Sequence, residues 1–212
     1  DSSTVNMFDS SHVEIAAGNV EMYNNGAVNM LDSSIAVTGS GGSGGSFLLS
    51  NFVQLSMTTS SVTVSGGDFI SSGSVSTTSE ESTISVSAGS ATFQDNSEYR
   101  GVGSVLSVSG GNLNLNGFTD WSLQDSNASV SGGSLNMRDS SLTKLLDSAF
   151  VVSGGNINLL VSAELSLISS SLQVTGGDLF NAGNSQFVSE RGTIRITDGR
   201  IIYDGSCNCN IE

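Results

Sequence analysis

The stretch that decides the fold is Leu106-Ser107-Val108-Ser109-Gly110-Gly111, because it returns 22 residues later as Ala128-Ser129-Val130-Ser131-Gly132-Gly133 and again as Phe150-Val151-Val152-Ser153-Gly154-Gly155. With the second apolar residue as register mark, Val64, Val86, Val108, Val130, Val152, Val174 and Ile196 follow one another at steps of 22. Backwards from Val64, Val37 lies 27 residues away and Ile15 a further 22. The five extra residues are Ser40-Gly41-Gly42-Ser43-Gly44, read as a flexible insertion at 40–44 in one turn of the second repeat. A fixed period of this length is how stacked-repeat architectures announce themselves. Nine repeats fill residues 1–212, which read as one domain.

Within a unit, Ala128 to Val130 alternates apolar and polar, Ser131-Gly132-Gly133 turns, and Leu135-Asn136-Met137 alternates again. A polar stretch then leads to a third alternation at Thr143-Lys144-Leu145, closed by Asp147-Ser148. Three period-two segments per repeat predict three short strands per coil. Helix is disfavoured, since the segments are rich in Val, Ser, Thr and Gly and no apolar pattern follows a 3.6-residue period. A coil of 22 residues cannot bury its own apolar face, so coils must stack, each strand pairing in parallel with its counterpart one repeat away. The expected fold is all-β: a parallel β-solenoid of roughly triangular section, with nine coils and three strands per coil.

Columns read down the stack agree with that register. The first strand points Val13, Ile35, Val62, Ile84, Leu106, Ala128, Phe150, Leu172 and Ile194 inward; the second points Val20, Phe47, Phe69, Ala91, Leu113, Leu135, Ile157, Leu179 and Ile201. Every one of these is apolar, and each is worth about 1.5–3 kcal/mol on full burial. Two hydroxyl columns recur as regularly. One runs Thr38, Ser65, Ser87, Ser109, Ser131, Ser153, Thr175, Thr197 and the other Ser33, Ser60, Ser82, Ser104, Ser126, Ser148, Ser170. Stacked about 4.8 Å apart, such hydroxyls are expected to hydrogen-bond along the axis at the corners. The column Gly67, Gly89, Gly111, Gly133, Gly155, Gly177, Gly199 marks a corner that needs either positive φ or close approach of coils.

Composition narrows function. The chain has 20 acids against 6 bases, a formal charge of −14. Nucleic acid and anionic membrane are polyanions captured by Lys and Arg, so neither is an expected partner. No apolar run approaches the roughly 18 residues of a helical membrane span. Proline is absent, where usage of about 5% would give about ten, as suits a backbone whose N–H groups are nearly all committed to ladders. The chain opens on Asp1 with no basic, apolar leader, and reads as a processed product or an excised piece. Val5-Asn6-Met7 at one end and Cys209-Asn210-Ile211 at the other both fit third strands, with no capping helix in view. Solenoids need caps to hide open edges, so the rod is expected to continue, either as more of the same polypeptide or as another copy stacked head to tail.

The units Gly66-Gly67-Asp68-Phe69, Gly110-Gly111-Asn112-Leu113, Gly132-Gly133-Ser134-Leu135 and Gly154-Gly155-Asn156-Ile157, with a single Phe93-Gln94-Asp95-Asn96, resemble the right-handed parallel β-helices of surface adhesins, autotransporter passengers and the chlamydial polymorphic membrane proteins. The resemblance covers all nine coils and is generic. It implies an elongated extracellular or cell-surface scaffold, and right-handed winding is carried over from it and from the general preference of parallel crossovers.

Sites for chemistry are sparse. In pectin lyase-like β-helices, acids with an Arg or Lys line one outer strand. The nearest cluster here is Arg138, Asp139, Lys144 and Asp147, with Asp120 and Asp125 one coil earlier. Asp120, Asp125, Asp139 and Asp147 are therefore the candidates for a Ca²⁺ site acting on a uronate. Asp before Ser is also ordinary turn chemistry, which explains Asp125, Asp147 and Asp32 without function. His12 stands alone beside a one-residue irregularity and forms neither a triad nor a metal site by itself. Gly39 to Gly45 lacks a following Lys and helix, so it reads as a loop rather than a phosphate cradle. Cys207 and Cys209 read as small buried residues of the last coil, or as partners for another chain in an oxidising setting. Asn114, Asn136 and Asn158 form an outward row, read as a stacking ladder or a polar face for glycans. An ice-binding face would need a sustained Thr-x-Thr row, and the outward series Glu14, Ala36, Thr63, Ser85, Ser107, Ser129, Val151, Gln173, Arg195 has none. The expectation is a noncatalytic rod without cofactor that self-associates end to end or continues covalently, with glycans or a host surface as further partner classes. A carbohydrate-binding or -cleaving β-helix is the alternative and an ice-binding solenoid the third.

Overall fold

A computed structural model describes residues 2–39 and 44–205, and the backbone of 208–211. The chain winds into a parallel β-solenoid of nine coils, three strands to a coil, and no helix occurs among the described residues. First strands run from His12–Ile15 to Thr193–Thr197 as a sheet of nine; second strands run from Val20–Tyr23 to Ile201–Asp204 as another nine. Third strands make a sheet of ten, because Thr4–Met7 precedes the first coil and Asn208–Ile211 follows the ninth. Every pairing is parallel and joins strands one coil apart, as in Ile84↔Leu106↔Ala128 and Ala91↔Leu113↔Leu135. Between Thr38↔Ser65 and Phe47↔Phe69 the offset falls from 27 to 22, which places the insertion in the turn between first and second strands of coil two. Of that insertion, 40–43 lie outside the described residues.

The inward columns of the first two sheets fill the core. Val62, Ile84, Leu113, Leu135, Phe150 and Ile157 are all fully buried. The third sheet's inward column is less uniform: Val28, Leu55, Thr77, Tyr99, Trp121, Thr143, Leu165, Phe187. Thr77 and Thr143 hydroxyls and the Trp121 indole N–H are buried there without a hydrogen-bond partner among the described residues. Tyr99 and Trp121 of this column belong to a run of rings that crosses all three sheets. Rings follow one another from Phe47 through Phe69, Phe93, Tyr99 and Trp121 to Phe150, with centroids 5.4 to 6.0 Å apart. Burial pushes the Tyr99 phenol up to about 12, with Ser79 acting weakly in the opposite direction.

The three corners have different chemistry. Between third and first strands, one residue takes left-handed φ, as at Asp32, Thr59, Glu81, Asp125 and Asp147, and a buried Ser follows it. Between first and second strands lie the glycine pairs. The first glycine carries the positive φ, 81° at Gly132 and 86° at Gly154, and Ala88 and Asp198 occupy the same position at 66° and 59°. The second glycine does not. A Cβ on Gly111, Gly133, Gly155 or Gly177 would stand 2.0–2.1 Å from the carbonyl oxygen of the glycine one coil below, so that column, with Gly67, Gly89 and Gly199, exists for close approach. Between second and third strands, two successive residues take left-handed φ, as at Asn24 and Asn25 or Asp95 and Asn96.

Candidate functional site

Two ladders of side chains run along the solenoid, from Ser33 to Ser170 and from Asn19 to Arg200. The first uses the Ser33 column. Each of Ser60, Ser82, Ser104, Ser126, Ser148 and Ser170 accepts a hydrogen bond, 2.9 to 3.2 Å long, from the backbone N–H of the Ser one coil before it. Each hydroxyl from Ser33 to Ser170 in turn donates to the carbonyl two residues earlier, as Ser126 does to Gln124 at 2.7 Å. The serines therefore serve backbone rather than one another. In the neighbouring Ser65, Ser87, Ser109, Ser131, Ser153 column the single hydroxyl contact, Ser87 to Ser65, is 3.4 Å long.

A second ladder follows the glycine pairs and was missed in the sequence. Asn19, Ser46, Asp68, Ser90, Asn112, Ser134, Asn156 and Asp178 each accept from the backbone N–H of the equivalent residue one coil above, at 2.8 to 3.1 Å. What the column shares is an acceptor atom on a short side chain. It ends at Arg200, whose own N–H and guanidinium both bind Asp178 and hold that carboxyl below its usual range. Gly192 likewise ends the serine ladder.

At the first coil, Thr4–Met7, His12–Ile15 and Val20–Tyr23 each pair on one side only. Inside them lies an open apolar hollow of about 250 Å³, walled by Val5, Met7, Val13, Ile15, Val20 and Met22. Val5 and Val13 are 44% and 39% exposed, though both stand in inward columns buried further along the rod. Around the hollow the charge is negative: Asp9, Glu14 and Glu21, with no Lys or Arg before Arg100. Asn19 and the Tyr23 hydroxyl both donate to Glu21 and hold its carboxyl below the ordinary range, while Glu21 pushes the Tyr23 phenol up. The ninth coil presents the opposite edge. Ile201 is 39% exposed, Ile194 and Ile196 are half-buried, and the coil carries Arg191, Arg195 and Arg200 beside Glu190, Asp198 and Asp204, with Arg191 paired to Glu190 at 3.3 Å and Arg200 to Asp178 at 3.2 Å.

The acids singled out for metal binding do not converge. Asp125 and Asp147 stack on the corner before the first strand, Asp139 sits on a different corner, and Asp120 opens a third strand. Among the described residues no three of His, Cys, Asp and Glu are placed to hold one ion. Asp125 and Asp147 line an open polar trough of about 460 Å³ with Ser169 and Arg191. Arg138 follows the second strand Leu135–Met137 outside any sheet, while Lys144 lies within the third strand Leu142–Leu146. His12 is exposed and its Nδ1 meets the Ser34 hydroxyl at 2.7 Å. Asn114, Asn136 and Asn158 bond successively through their amides at 2.9 and 2.8 Å, so that row is a ladder. Cys207 and the Cys209 side chain lie outside the described residues. Comparisons with family models, with curated proteins and with solved structures find no match for this chain.

Proposed function

We propose that this chain is a noncatalytic structural solenoid, a stiff rod that serves outside the cell or on its surface as a fibre subunit or adhesin stalk joined end to end. The observation that carries the reading is the pair of ends. Each exposes three strands with one free side around apolar columns that elsewhere are sealed, and a sheet edge of that kind is a template for another strand. The sides, by contrast, present mixed polar ladders and shallow troughs. Negative-stain electron microscopy of the purified chain tests the reading. Unbranched fibres with an axial repeat near the rod length, about 43 Å for nine coils, are the expected result; a field of separate, uniform particles at high protein concentration would overturn it.

A further inference from the structure

We infer that the outer face of the second-strand sheet, over coils four to eight, is a binding platform for a neutral polysaccharide laid along the rod. It concerns one side of a single chain and goes beyond the end-to-end reading above without depending on it.

The outward column of that sheet runs Thr92, Asn114, Asn136, Asn158 and Phe180, one residue per coil. Four steps of about 4.8 Å make a row about 19 Å long. All five residues are half-buried, so each keeps a surface toward solvent. Asn114 donates to the Thr92 hydroxyl at 3.2 Å, Asn136 to the Asn114 oxygen at 2.9 Å, and Asn158 to the Asn136 oxygen at 2.8 Å. An asparagine amide carries two N–H donors and an oxygen with two lone pairs. Within the ladder Asn114 and Asn136 each use one donor and one lone pair, which leaves one of each for a ligand. The ladder also fixes these side chains in place, so a ligand does not have to order them on binding. Beside the row, Gln94 and Asn116 stand opposite one another in the next outward column. Both are half-buried, and their side-chain amides have no hydrogen-bond partner among the described residues.

The chemistry of the face selects the ligand. Donors and acceptors in equal number at a fixed pitch suit a polymer of hydroxyl groups, which likewise donate and accept. None of these side chains is ionisable, in a chain of formal charge −14, so a charged partner finds no counter-charge within the platform. Phe180 closes the row one step beyond Asn158, where a ring can lie against the apolar C–H face of a sugar while the amides meet its hydroxyl rim. The strands beneath are paired on both sides, so a peptide seeking to add as a further strand has no edge here.

Isothermal calorimetry on the folded full chain tests this. The probes are neutral β-1,4-linked hexasaccharides of glucose and of N-acetylglucosamine, with a hexamer of galacturonate as the charged counterpart. Saturable binding of a neutral hexamer, tighter than that of the uronate, is the expected result. Phe180→Ala should weaken it about tenfold and Asn136→Ala about fivefold. Phe180 takes part in no side-chain hydrogen bond of the ladder, so that variant keeps the test open should loss of the Asn136 rung destabilise the coil. No saturable binding of either neutral hexamer, tighter binding of the uronate, or unchanged affinity in Phe180→Ala overturns the platform. Fibre formation by wild-type chain is a separate observation that none of these results alters.

Discussion

Adjacent glycines in the same turn should respond very differently to one added methyl. At Gly133 a Cβ would stand 2.0 Å from the carbonyl oxygen of Gly111 and 2.5 Å from its carbon, where real Cβ atoms essentially never come within 3.0 Å. The corner of coil six must therefore lift from coil five by 1.0 Å or more. Three hydrogen bonds hold those corners together: Gly110 N–H to Ser131 O at 2.8 Å, Leu113 N–H to Ser134 O at 3.0 Å, and Ser134 N–H to Asn112 Oδ1 at 2.8 Å. That displacement carries all three beyond hydrogen-bonding distance. At about 1 kcal/mol each, Gly133→Ala costs about 3 kcal/mol. At Gly132 the nearest atom to a Cβ is 3.6 Å away, and the penalty is the left-handed φ of 81° alone, about 1 kcal/mol. Ala88 already occupies the equivalent position at 66°. Urea midpoints for the two variants, read beside hydrogen exchange of peptides spanning coils five and six, give the comparison. Gly133→Ala should be the more damaging and should raise exchange locally. Equal effects, or a larger effect at Gly132, would refute close approach as the reason for the column.

The buried serine ladder, the strained corner and the sealed tyrosine give three further expectations. Ser126→Ala removes the acceptor for the Ser104 N–H, strands a buried donor, and should cost about 1–3 kcal/mol by denaturant midpoint; a neutral result would mean the serines contribute nothing beyond turn preference. Val161 is β-branched, 59% exposed and held at a φ of 52°, so Val161→Gly should raise stability by about 1 kcal/mol in the same measurement, and a loss would contradict the strain. The Tyr99 phenol ionises at about 12 in the folded chain, against about 10 when unfolded. Stability is therefore complete below pH 10 and falls by roughly 3 kcal/mol as pH rises to 12; Tyr99→Phe should flatten that fall, and an identical alkaline profile for both chains would show Tyr99 to be uninvolved.

Much of the coil was legible in the sequence because its signals were uniform. The Val64 to Ile196 series and the two apolar columns kept one residue class at one spacing, and the structure has the same register. The third sheet was less readable, since Thr77, Tyr99, Trp121 and Thr143 interrupt its inward column and period-two alternation loses its contrast there. The Asn19 to Asp178 ladder escaped for a related reason. Asn, Ser and Asp look unlike one another in composition, yet each carries an oxygen within reach of the next coil's N–H, and that functional equivalence was the signal to seek. The glycine column was visible while its cause was not. Ala88 and Asp198, standing where other coils have the first glycine, were the clue that only the second position forbids a side chain. The outward column from Glu14 to Arg195 was legible from spacing alone, whereas the open hollow of the first coil was not, because the exposure of Val5 and Val13 depends on which strands pair on one side only.

The run of rings through the core has a consequence for how unfolding of this rod would look. Trp121 is the sole indole, fully buried, stacked on Tyr99 at 5.4 Å and placed near mid-length. In a one-dimensional array each unit touches only its neighbours, so melting can begin at either extremity and travel inward. Tryptophan emission would stay silent through that fraying and change only when the middle gives way, whereas circular dichroism would register every coil lost. Non-coincident curves from the two probes would thus measure how far unzipping proceeds before collapse, turning one aromatic side chain into a position marker along the solenoid axis.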